Sequence, residues 1–314
     1  MKLSVIVPVY FNEENLNPTY NALKENVFDK LDCKYELILV DDGSGDKSYE
    51  VMLELQSKDP NIRLVKLSRN FGSHAAILAG LGHSTGDCVT CISADLQDPP
   101  EVILEMLEHW RQGSKVVLGV RKDREESFFQ KLFSNTYYAL MRKFALPNMP
   151  KGGFDFFLID RQVADILNAM EEKNTTVMGQ ILWCGFKPQL IYYVRRKREI
   201  GKSRWTFAKK IKLSVDSLLG FSYMPIRMIF SVGTIFLFIA VIWSVFIIVM
   251  KLLGKISITG WPTLIILNLF SFGVIMLTLG ILGEYIWRVF DSVRNRPPFI
   301  VDETKERKSE EKDE

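Results

Sequence analysis

Hydrophobic and polar positions along the first 120 residues switch repeatedly between two periods. Short runs rich in Val, Ile and Leu are typical of buried strands, and segments with an apolar residue every three or four positions are typical of amphipathic helices. The short runs predict strands at residues 5–9, 36–40, 63–67, 89–92 and 116–120. The longer segments predict helices at residues 13–26, 47–58, 75–82 and 101–112. This order predicts an α/β fold, Rossmann-like, with a mostly parallel sheet covered by helices on both faces, which binds ligand at the carboxyl ends of its strands.

Two apolar stretches follow, and each is long enough to cross a membrane. Residues 228–250 and 261–283 contain no charged side chain over 23 positions each. A helix of this length reaches about 34 Å, against a hydrocarbon core of about 30 Å. A buried helix pair in a soluble protein is the alternative, but it would need a large surrounding core that the rest of the chain does not supply. The sequence therefore predicts two transmembrane helices.

The distribution of positive charge predicts the orientation of these helices. Lys and Arg crowd the outer flanks of the two stretches, whereas the connection between them offers only Lys251 and Lys255. By the positive-inside rule, both termini and the α/β domain of this multi-pass protein face the cytoplasm. The amino terminus is predicted to be the first strand rather than a signal peptide, because Pro8 interrupts it and no small-residue cleavage site follows.

The segment before the first span is strongly basic. Residues 195–212 carry nine basic side chains against a single acidic one, Glu199. Such a run is often a solvated face or a nucleic-acid patch. Here it stands directly before a membrane span, and Phe207 and Ile211 recur with later apolar residues at helical spacing. We therefore expect an amphipathic helix on the cytoplasmic surface of the lipid bilayer, against anionic lipid, and no nucleic-acid partner.

These patterns divide the chain into four parts. We predict an α/β domain at 1–200, an amphipathic interfacial segment at 201–226, a two-helix transmembrane domain at 227–287 and a cytoplasmic tail at 288–314. From residue 302 the tail has seven acidic and four basic residues and almost no apolar ones, so its end is predicted to be disordered.

Small residues in the second apolar stretch offer contact points for another helix. They are Ser271, Gly273 and Gly280. Because small residues let the backbones of two helices approach closely, we expect these positions to pack against copies of the same chain in a homo-oligomer.

Carboxylates follow the predicted strands at the edge where a ligand would bind. Asp95 lies after the strand at 89–92, in the run Ala-Asp-Leu-Gln-Asp-Pro-Pro-Glu, and Asp42 lies after the second strand. Asp95 is well placed to hold a divalent cation against a diphosphate, although a strand-to-helix turn with a solvated Asp fits the octapeptide equally well. No GxGxxG follows the first strand, and the Gly-Lys-Ser at 201–203 lacks the earlier glycine of a P-loop. Neither a dinucleotide cofactor nor a P-loop is therefore expected.

Five motifs occur in order at residues 8–14, 40–44, 69–72, 94–101 and 152–156. Together they resemble the motifs of family 2 glycosyltransferases. More narrowly, the chain resembles the polyisoprenyl-phosphate glycosyltransferases, which include dolichol-phosphate mannosyltransferase and bacterial enzymes that charge undecaprenyl phosphate with glucose or related sugars. The resemblance implies a GT-A fold, a nucleotide-diphosphate sugar donor, a divalent metal and inversion at the anomeric carbon.

The resemblance also implies which residues bind the donor and the metal. Arg69 would lie near the donor, and Asp95 with Gln97 would bind the metal, Mg²⁺ or Mn²⁺. Ser93 stands where the family often has a first carboxylate, but Mg²⁺ accepts one protein carboxylate together with phosphate oxygens and waters, so the site can survive the change. The residues that would hold the uridine are Pro8, Tyr10, Glu13 and Asp42.

The acceptor side is assigned in the same way. Asp155 is the carboxylate expected closest to the reacting centre, and with Asp95 it forms the expected catalytic pair. Its role as a base, as a clamp on sugar hydroxyls or as a residue that orients Arg198 stays open. The resemblance places Arg198, Ser203 and Arg204 on the lipid phosphate. Arg121 and Lys131 are further candidate phosphate ligands, with a surface cation as an equally good reading of each.

The expected function is transfer of one monosaccharide from a nucleotide-diphosphate sugar, of the UDP-glucose or UDP-GlcNAc type, to undecaprenyl phosphate at the bacterial cytoplasmic (inner) membrane. Two alternatives stay open. A processive polysaccharide synthase would carry Gln-x-x-Arg-Trp, whereas this chain has Gly201 before Arg204 and Trp205. A non-catalytic membrane sensor of nucleotide sugars is made conceivable by Ser93.

Overall fold

The computed structural model describes residues 1–122, 128–170, 172, 175–196, 214, 216–217, 219–222, 224–254 and 260–306. Its strands are β1 Lys2–Val9, β2 Lys34–Asp41, β3 Ile62–Leu67, β4 Cys88–Cys91, β5 Val116–Arg121, β6 Phe156–Asp160, β7 Gln189–Tyr193 and β8 Val301–Lys305. Its helices are α1 Leu16–Asn26, α2 Ser48–Lys58, α3 Ser73–His83, α4 Val102–Arg111, α5 Phe128–Phe144, α6 Arg161–Ala169, α7 Val177–Trp183, α8 Met224–Leu252 and α9 Trp261–Val293, with a 3₁₀ turn at Phe28–Lys30.

The eight strands form one mixed sheet in the order β7-β5-β6-β4-β1-β2-β3-β8. Strands β3, β2, β1 and β4 run parallel to one another, and so do β5 and β7. Strand β6 runs antiparallel between β4 and β5, and β8 runs antiparallel along β3. The predicted α/β fold with a mostly parallel sheet is confirmed, and the parallel strands end at a shared edge.

Apolar layers cover both faces of this sheet. Successive residues of β1 point to opposite faces, so that Val5 and Val7 belong to one buried cluster while Ile6 belongs to the other. Helices α1, α2 and α4 supply side chains to the first cluster, and α3, α6 and α7 supply side chains to the second. This two-sided burial explains why β1, β2, β3 and β5 are rich in Val, Ile and Leu.

The predicted disordered end of the chain is wrong for its first residues. Val301–Lys305 forms β8, in which Val301 packs against an apolar cluster and half-buried residues alternate with the exposed Asp302 and Thr304. The Tyr49 hydroxyl donates to the Glu303 carboxylate at 2.8 Å, and the Gln56 amide donates to the Lys305 carbonyl at 2.8 Å. Composition alone could not show this strand, because the open edge of β3 supplies its backbone partners. Residues 307–314 lie outside the described part of the chain.

Helices α8 and α9 belong to a second compact unit, Ser222–Arg296. By length and composition alone, Ile226–Trp243 and Phe270–Val293 could each cross a membrane, and the apolar side chains along them are largely exposed. The rings of Phe236 and Phe270 meet at 5.2 Å between centroids within this unit. Apolar helices are thus found where the two spans were predicted, whereas their orientation and the homo-oligomer stay predictions. Most of the predicted interfacial segment at 201–226 lies outside the described residues.

Candidate active site

The loops that follow β1 and β2 are joined by hydrogen bonds at the carboxyl edge of the sheet. The backbone N–H of Phe11 donates to the Ser44 hydroxyl at 3.1 Å, and the backbone N–H of Lys47 donates to the Glu13 carboxylate at 2.9 Å. The Tyr10 and Phe11 rings meet edge to face at 4.7 Å, and Phe11 has a positive φ of 54°. A half-buried aromatic ring and a carboxylate are therefore fixed beside each other at this edge.

Asp42 fixes the next loop along the edge. Its nearly fully buried carboxylate accepts the backbone N–H groups of Phe71 at 2.7 Å and Gly72 at 2.9 Å, and the Asn70 amide at 3.1 Å. Burial raises the pKa of Asp42 above its ordinary value, although these N–H donors favour its charged form. Asp42 was predicted to hold uridine; that stays a prediction, and the structure shows that the side chain also holds the loop at residues 69–72.

Gly43 lies directly against this loop. Its φ is +68°, and a Cβ there would come within 2.5 Å of the Arg69 carbonyl carbon and 2.6 Å of the Asn70 nitrogen. Only glycine combines this backbone conformation with so close an approach. The Arg69 guanidinium itself is exposed and lies 4.1 Å from the centre of the Phe71 ring.

Ser93 links two carboxylates after β4. Its hydroxyl lies 2.7 Å from Oδ1 of Asp95 and 3.2 Å from Oδ2 of Asp98. The backbone N–H of Gln97 also approaches Oδ1 of Asp95, at 3.3 Å, across a turn in which Leu96 has a positive φ of 54°. Ser93, which stands where the resemblance leads us to expect a first carboxylate, is thus a hydrogen-bond donor to Asp95.

The side chains at this turn supply only part of the ligands that a metal ion needs. In the part of the chain that the structure describes, no group of three or more His, Cys, Asp and Glu side chains could hold an ion. Asp95 supplies a single half-buried carboxylate, which suits a hard cation that takes its other ligands from water and phosphate oxygens. Such an ion would be held between Asp95 and the diphosphate of a bound donor rather than by the protein alone.

Asp98 follows Asp95 by three positions and is almost completely buried. The Tyr193 hydroxyl donates to its Oδ1 at 2.5 Å, and Nε of Arg195 lies 3.9 Å from the same oxygen. Burial raises the pKa of Asp98, although Tyr193 and the nearby arginines favour its charged form. The backbone N–H of Arg196 donates to the Gln97 carbonyl at 2.9 Å, so the turn at Asp95 and residues 193–196 are held together at two points.

Arg121 forms an ion pair with Asp155 at the same edge. Asp155 immediately precedes β6, which runs antiparallel to β4, and this places it beside the end of β4. Burial alone would lower the pKa of Arg121, but the charge of Asp155 outweighs it and the pKa is raised. The Nε atoms of Arg121 and Arg195 are both buried and have no hydrogen-bond partner among the described residues. Two guanidinium groups there have unused N–H donors.

The topology therefore brings most of the predicted site residues to one edge of the sheet. Those with described positions are Pro8, Tyr10, Glu13, Asp42, Arg69, Asp95, Gln97, Arg121 and Asp155. Lys131 lies in α5, where its side chain is not described, and Arg198, Ser203 and Arg204 lie outside the described residues.

The sequence did not reveal four further residues at this edge. Asp98 is part of the run at 94–101 but carries no separate signal, and Tyr193 and Arg195 lie more than ninety positions away from it. Asp41 ends β2, and its Oδ2 is buried without a hydrogen-bond partner in the described part of the chain. Only the predicted convergence of strand ends could have pointed to these residues.

The mixed α/β sheet brings carboxylates and arginines together at one edge. Residues 4–167 match the family Glycosyl transferase family 2. The chain belongs to this family and is a glycosyltransferase.

Curated relatives match over nearly the full length of the chain. The uncharacterized glycosyltransferase YkcC of Bacillus subtilis is 39% identical over 302 residues, which cover 96% of this chain and 93% of that protein. A prophage bactoprenol glucosyl transferase homolog of Escherichia coli is 32% identical, covering 97% of this chain and 100% of that protein. The bactoprenol glucosyl transferase of Shigella phage SfII is 32% identical, covering 96% and 97%.

Proposed function

We propose that this protein transfers one monosaccharide from a UDP-sugar to a polyprenyl phosphate, undecaprenyl phosphate in bacteria, at the cytoplasmic face of the inner membrane. The observation that carries the proposal is the pair of hydrogen bonds that joins the Asp95 turn to residues 193–196. The turn suits a sugar diphosphate, and residues 193–196 lead into the basic segment that precedes the apolar helices. Relatives that share nearly the whole chain are named bactoprenol glucosyl transferases, which supports the same acceptor.

The chemistry of a phosphate acceptor explains which groups the edge must supply. The second pKa of a phosphate monoester is about 6, so at neutral pH the attacking oxygen is largely dianionic and needs no strong base. The protein has to align this oxygen with the anomeric carbon and to stabilise the negative charge on both phosphates. Attack opposite the departing UDP inverts the anomeric carbon. A divalent metal, Mg²⁺ or Mn²⁺, would supply charge stabilisation at the diphosphate when bound beside Asp95.

Arg121 and Arg195 are suited to the acceptor phosphate. Both have buried Nε–H donors without a partner among the described residues. A phosphate that accepts these donors would satisfy them, because guanidinium groups bind phosphate oxygens through paired N–H donors. We assign Asp155 the role of holding Arg121 in position, in preference to that of a base, because the two side chains form an ion pair. Arg198, Ser203 and Arg204 complete the proposed lipid-phosphate site.

An assay of the purified full-length protein separates this function from its two alternatives. The protein in detergent is incubated with undecaprenyl phosphate, Mg²⁺ or Mn²⁺ and a panel of labelled UDP-sugars. Label from one UDP-sugar that moves into the organic phase as a single-sugar lipid supports the proposal. Label in a long polymer would instead identify a processive synthase, and saturable binding without transfer would identify a sensor.

A further inference from the structure

His74 has an arrangement that the reaction described above does not explain. It is the second residue of α3, and it follows Gly72, whose backbone N–H is bound by Asp42. Both of its ring nitrogens are buried, and neither has a hydrogen-bond partner among the residues that the structure describes. His83, at the other end of the same helix, has Nδ1 2.8 Å from the Ala79 carbonyl oxygen.

A buried imidazole without partners is costly. Buried polar groups in folded proteins nearly always have a hydrogen-bond partner, so an unsatisfied one calls for a ligand or another explanation. Burial lowers the pKa of His74 below its ordinary value, against an opposing effect of the Asp155 carboxylate, and so favours the neutral form of the ring. A neutral imidazole has one N–H donor and one acceptor nitrogen.

His74 lies at the edge of the sheet where the donor is proposed to bind, because α3 begins directly after the loop that follows β3. The loop at residues 69–72, which Asp42 holds, leads directly into the first turn of α3. Phe154, the residue before Asp155, belongs to the same buried apolar cluster as Ala76 of α3. His74 therefore lies in the first turn of the helix that begins at the loop held by Asp42.

We propose that His74 is a specificity-determining residue whose imidazole binds a hydroxyl group of the donor sugar. The proposal rests on the function proposed above. A sugar hydroxyl can accept from the N–H of a neutral imidazole or donate to its other nitrogen, so it fits either ring nitrogen of His74. A phosphate would offer only acceptors and would favour the charged ring, so the sugar is the better match. A site that bonds a sugar hydroxyl in this way discriminates strongly against a sugar without that hydroxyl, because the buried ring nitrogen would then be left unpaired.

Two variants test this role in the full-length protein. His74→Phe keeps a ring and removes both nitrogens, and His74→Gln keeps one donor group and one acceptor. Binding of UDP, which lacks the sugar, is compared with binding of UDP-glucose, UDP-GlcNAc and UDP-galactose in detergent by titration calorimetry. For His74→Phe we expect UDP affinity within about twofold of wild type and a loss of about tenfold or more for the preferred UDP-sugar, as one lost polar contact implies. His74→Gln is expected to recover part of this loss.

Equal effects on UDP and on the UDP-sugar would overturn the proposal, because they would identify a structural role. An unchanged preference among the three UDP-sugars in His74→Phe would overturn it as well. Because binding is measured without an acceptor, these results decide the role of His74 even if no sugar is transferred to a lipid.

Nitrogen NMR of the wild-type protein gives a test that needs no stable variant. The chain has three histidines, so the imidazole signals are few. We expect the signals of one histidine, identified by its lack of exchange with solvent, to shift when UDP-sugar is added and to stay in place when UDP is added. No shift with a saturating UDP-sugar would contradict the proposal.

Discussion

The Tyr193 hydroxyl donates a hydrogen bond of 2.5 Å to Oδ1 of Asp98, across ninety-five positions of the chain. Tyr193 is the last residue of β7, and Asp98 lies three positions after Asp95. This bond therefore connects the turn proposed to hold the metal with the strand that leads into the basic segment. Because Asp98 is a buried carboxylate, the bond also replaces hydration that the charge has lost.

Removal of the Tyr193 hydroxyl is expected to lower the stability of the α/β unit and to slow sugar transfer. Hydrogen bonds to charged groups contribute about 1.5–3 kcal/mol, so Tyr193→Phe should lower the free energy of unfolding by about 2 kcal/mol. The measurement is chemical denaturation in detergent, together with the rate of sugar transfer. Tyr192→Phe is the matched control, since the neighbouring Tyr192 is 57% exposed. Equal stability of the two variants would contradict the role given to Tyr193.

Gly43→Ala is expected to displace the loop at residues 69–72. The added Cβ would meet the backbone of Arg69 and Asn70, so we expect weaker UDP-sugar binding in addition to a loss of stability. Gly113→Ala is the control: φ is +99° there, and nothing described lies within 4 Å of a Cβ. The control should show only the cost of a positive φ, about 1 kcal/mol, with unchanged donor affinity. Identical donor affinities in both variants would show that the contact with Gly43 is unimportant.

The way in which the free energy of unfolding falls at acid pH should depend on Glu36. This buried carboxylate accepts hydrogen bonds from Lys2 Nζ, the Ser4 hydroxyl and the Thr85 backbone N–H, each at 2.6 Å. Burial alone would raise the pKa of Glu36, but these donors outweigh it and hold the pKa below its ordinary value of 4.5. The folded state therefore binds this proton less readily than the unfolded chain does.

The stabilisation by the Glu36 charge is consequently complete above about pH 5.5 and is lost as the pH falls through the folded-state pKa. Glu36→Gln should be less stable than wild type by about 1–3 kcal/mol at pH 7, and the difference should shrink below pH 4.5. The measurement is the free energy of unfolding of both proteins in detergent, taken at several values across pH 3.5–7. A difference that grows as the pH falls would have the wrong sign for this account.

The carboxyl-terminal strand is expected to stabilise the α/β unit. Val301→Asp places a charge against an apolar cluster and should lower the midpoint of thermal unfolding by several degrees. Asp302→Ala changes the neighbouring side chain, which is 57% exposed, and should leave the midpoint nearly unchanged. If Val301→Asp had no effect, β8 would contribute nothing measurable to the fold.

Most of the sheet could be predicted because its strands carry a strong local signal. The Val- and Ile-rich runs located β1 to β5 to within a few residues, since strands buried on both faces have this composition. Strand β6, Phe-Phe-Leu-Ile-Asp, is too short for its period to be distinguished from a buried helical segment. Strand β8 reads as a charged tail and becomes a strand only through pairing with β3.

The candidate site could be predicted only where a strand end marks it. Asp95 and Asp42 follow such ends, and the sheet topology brings them to one edge. The contacts of Asp98 with Tyr193 and the unsatisfied ring of His74 depend on residues that meet only in the folded chain. A neutral buried histidine has the same sequence signature as a histidine in any core.

The central claim is that the edge at Asp95 transfers a sugar to a lipid phosphate. The most direct measurement compares Asp95→Asn with Asp87→Asn, which alters a carboxylate at the opposite end of the same strand. The readout is label moved from the UDP-sugar that the wild type uses into undecaprenyl-phosphate lipid at saturating Mg²⁺ or Mn²⁺. We predict a loss of at least about a hundredfold for Asp95→Asn and a rate close to wild type for Asp87→Asn. Transfer by Asp95→Asn at the wild-type rate, or no lipid-linked product from the wild type with any UDP-sugar, would contradict the account.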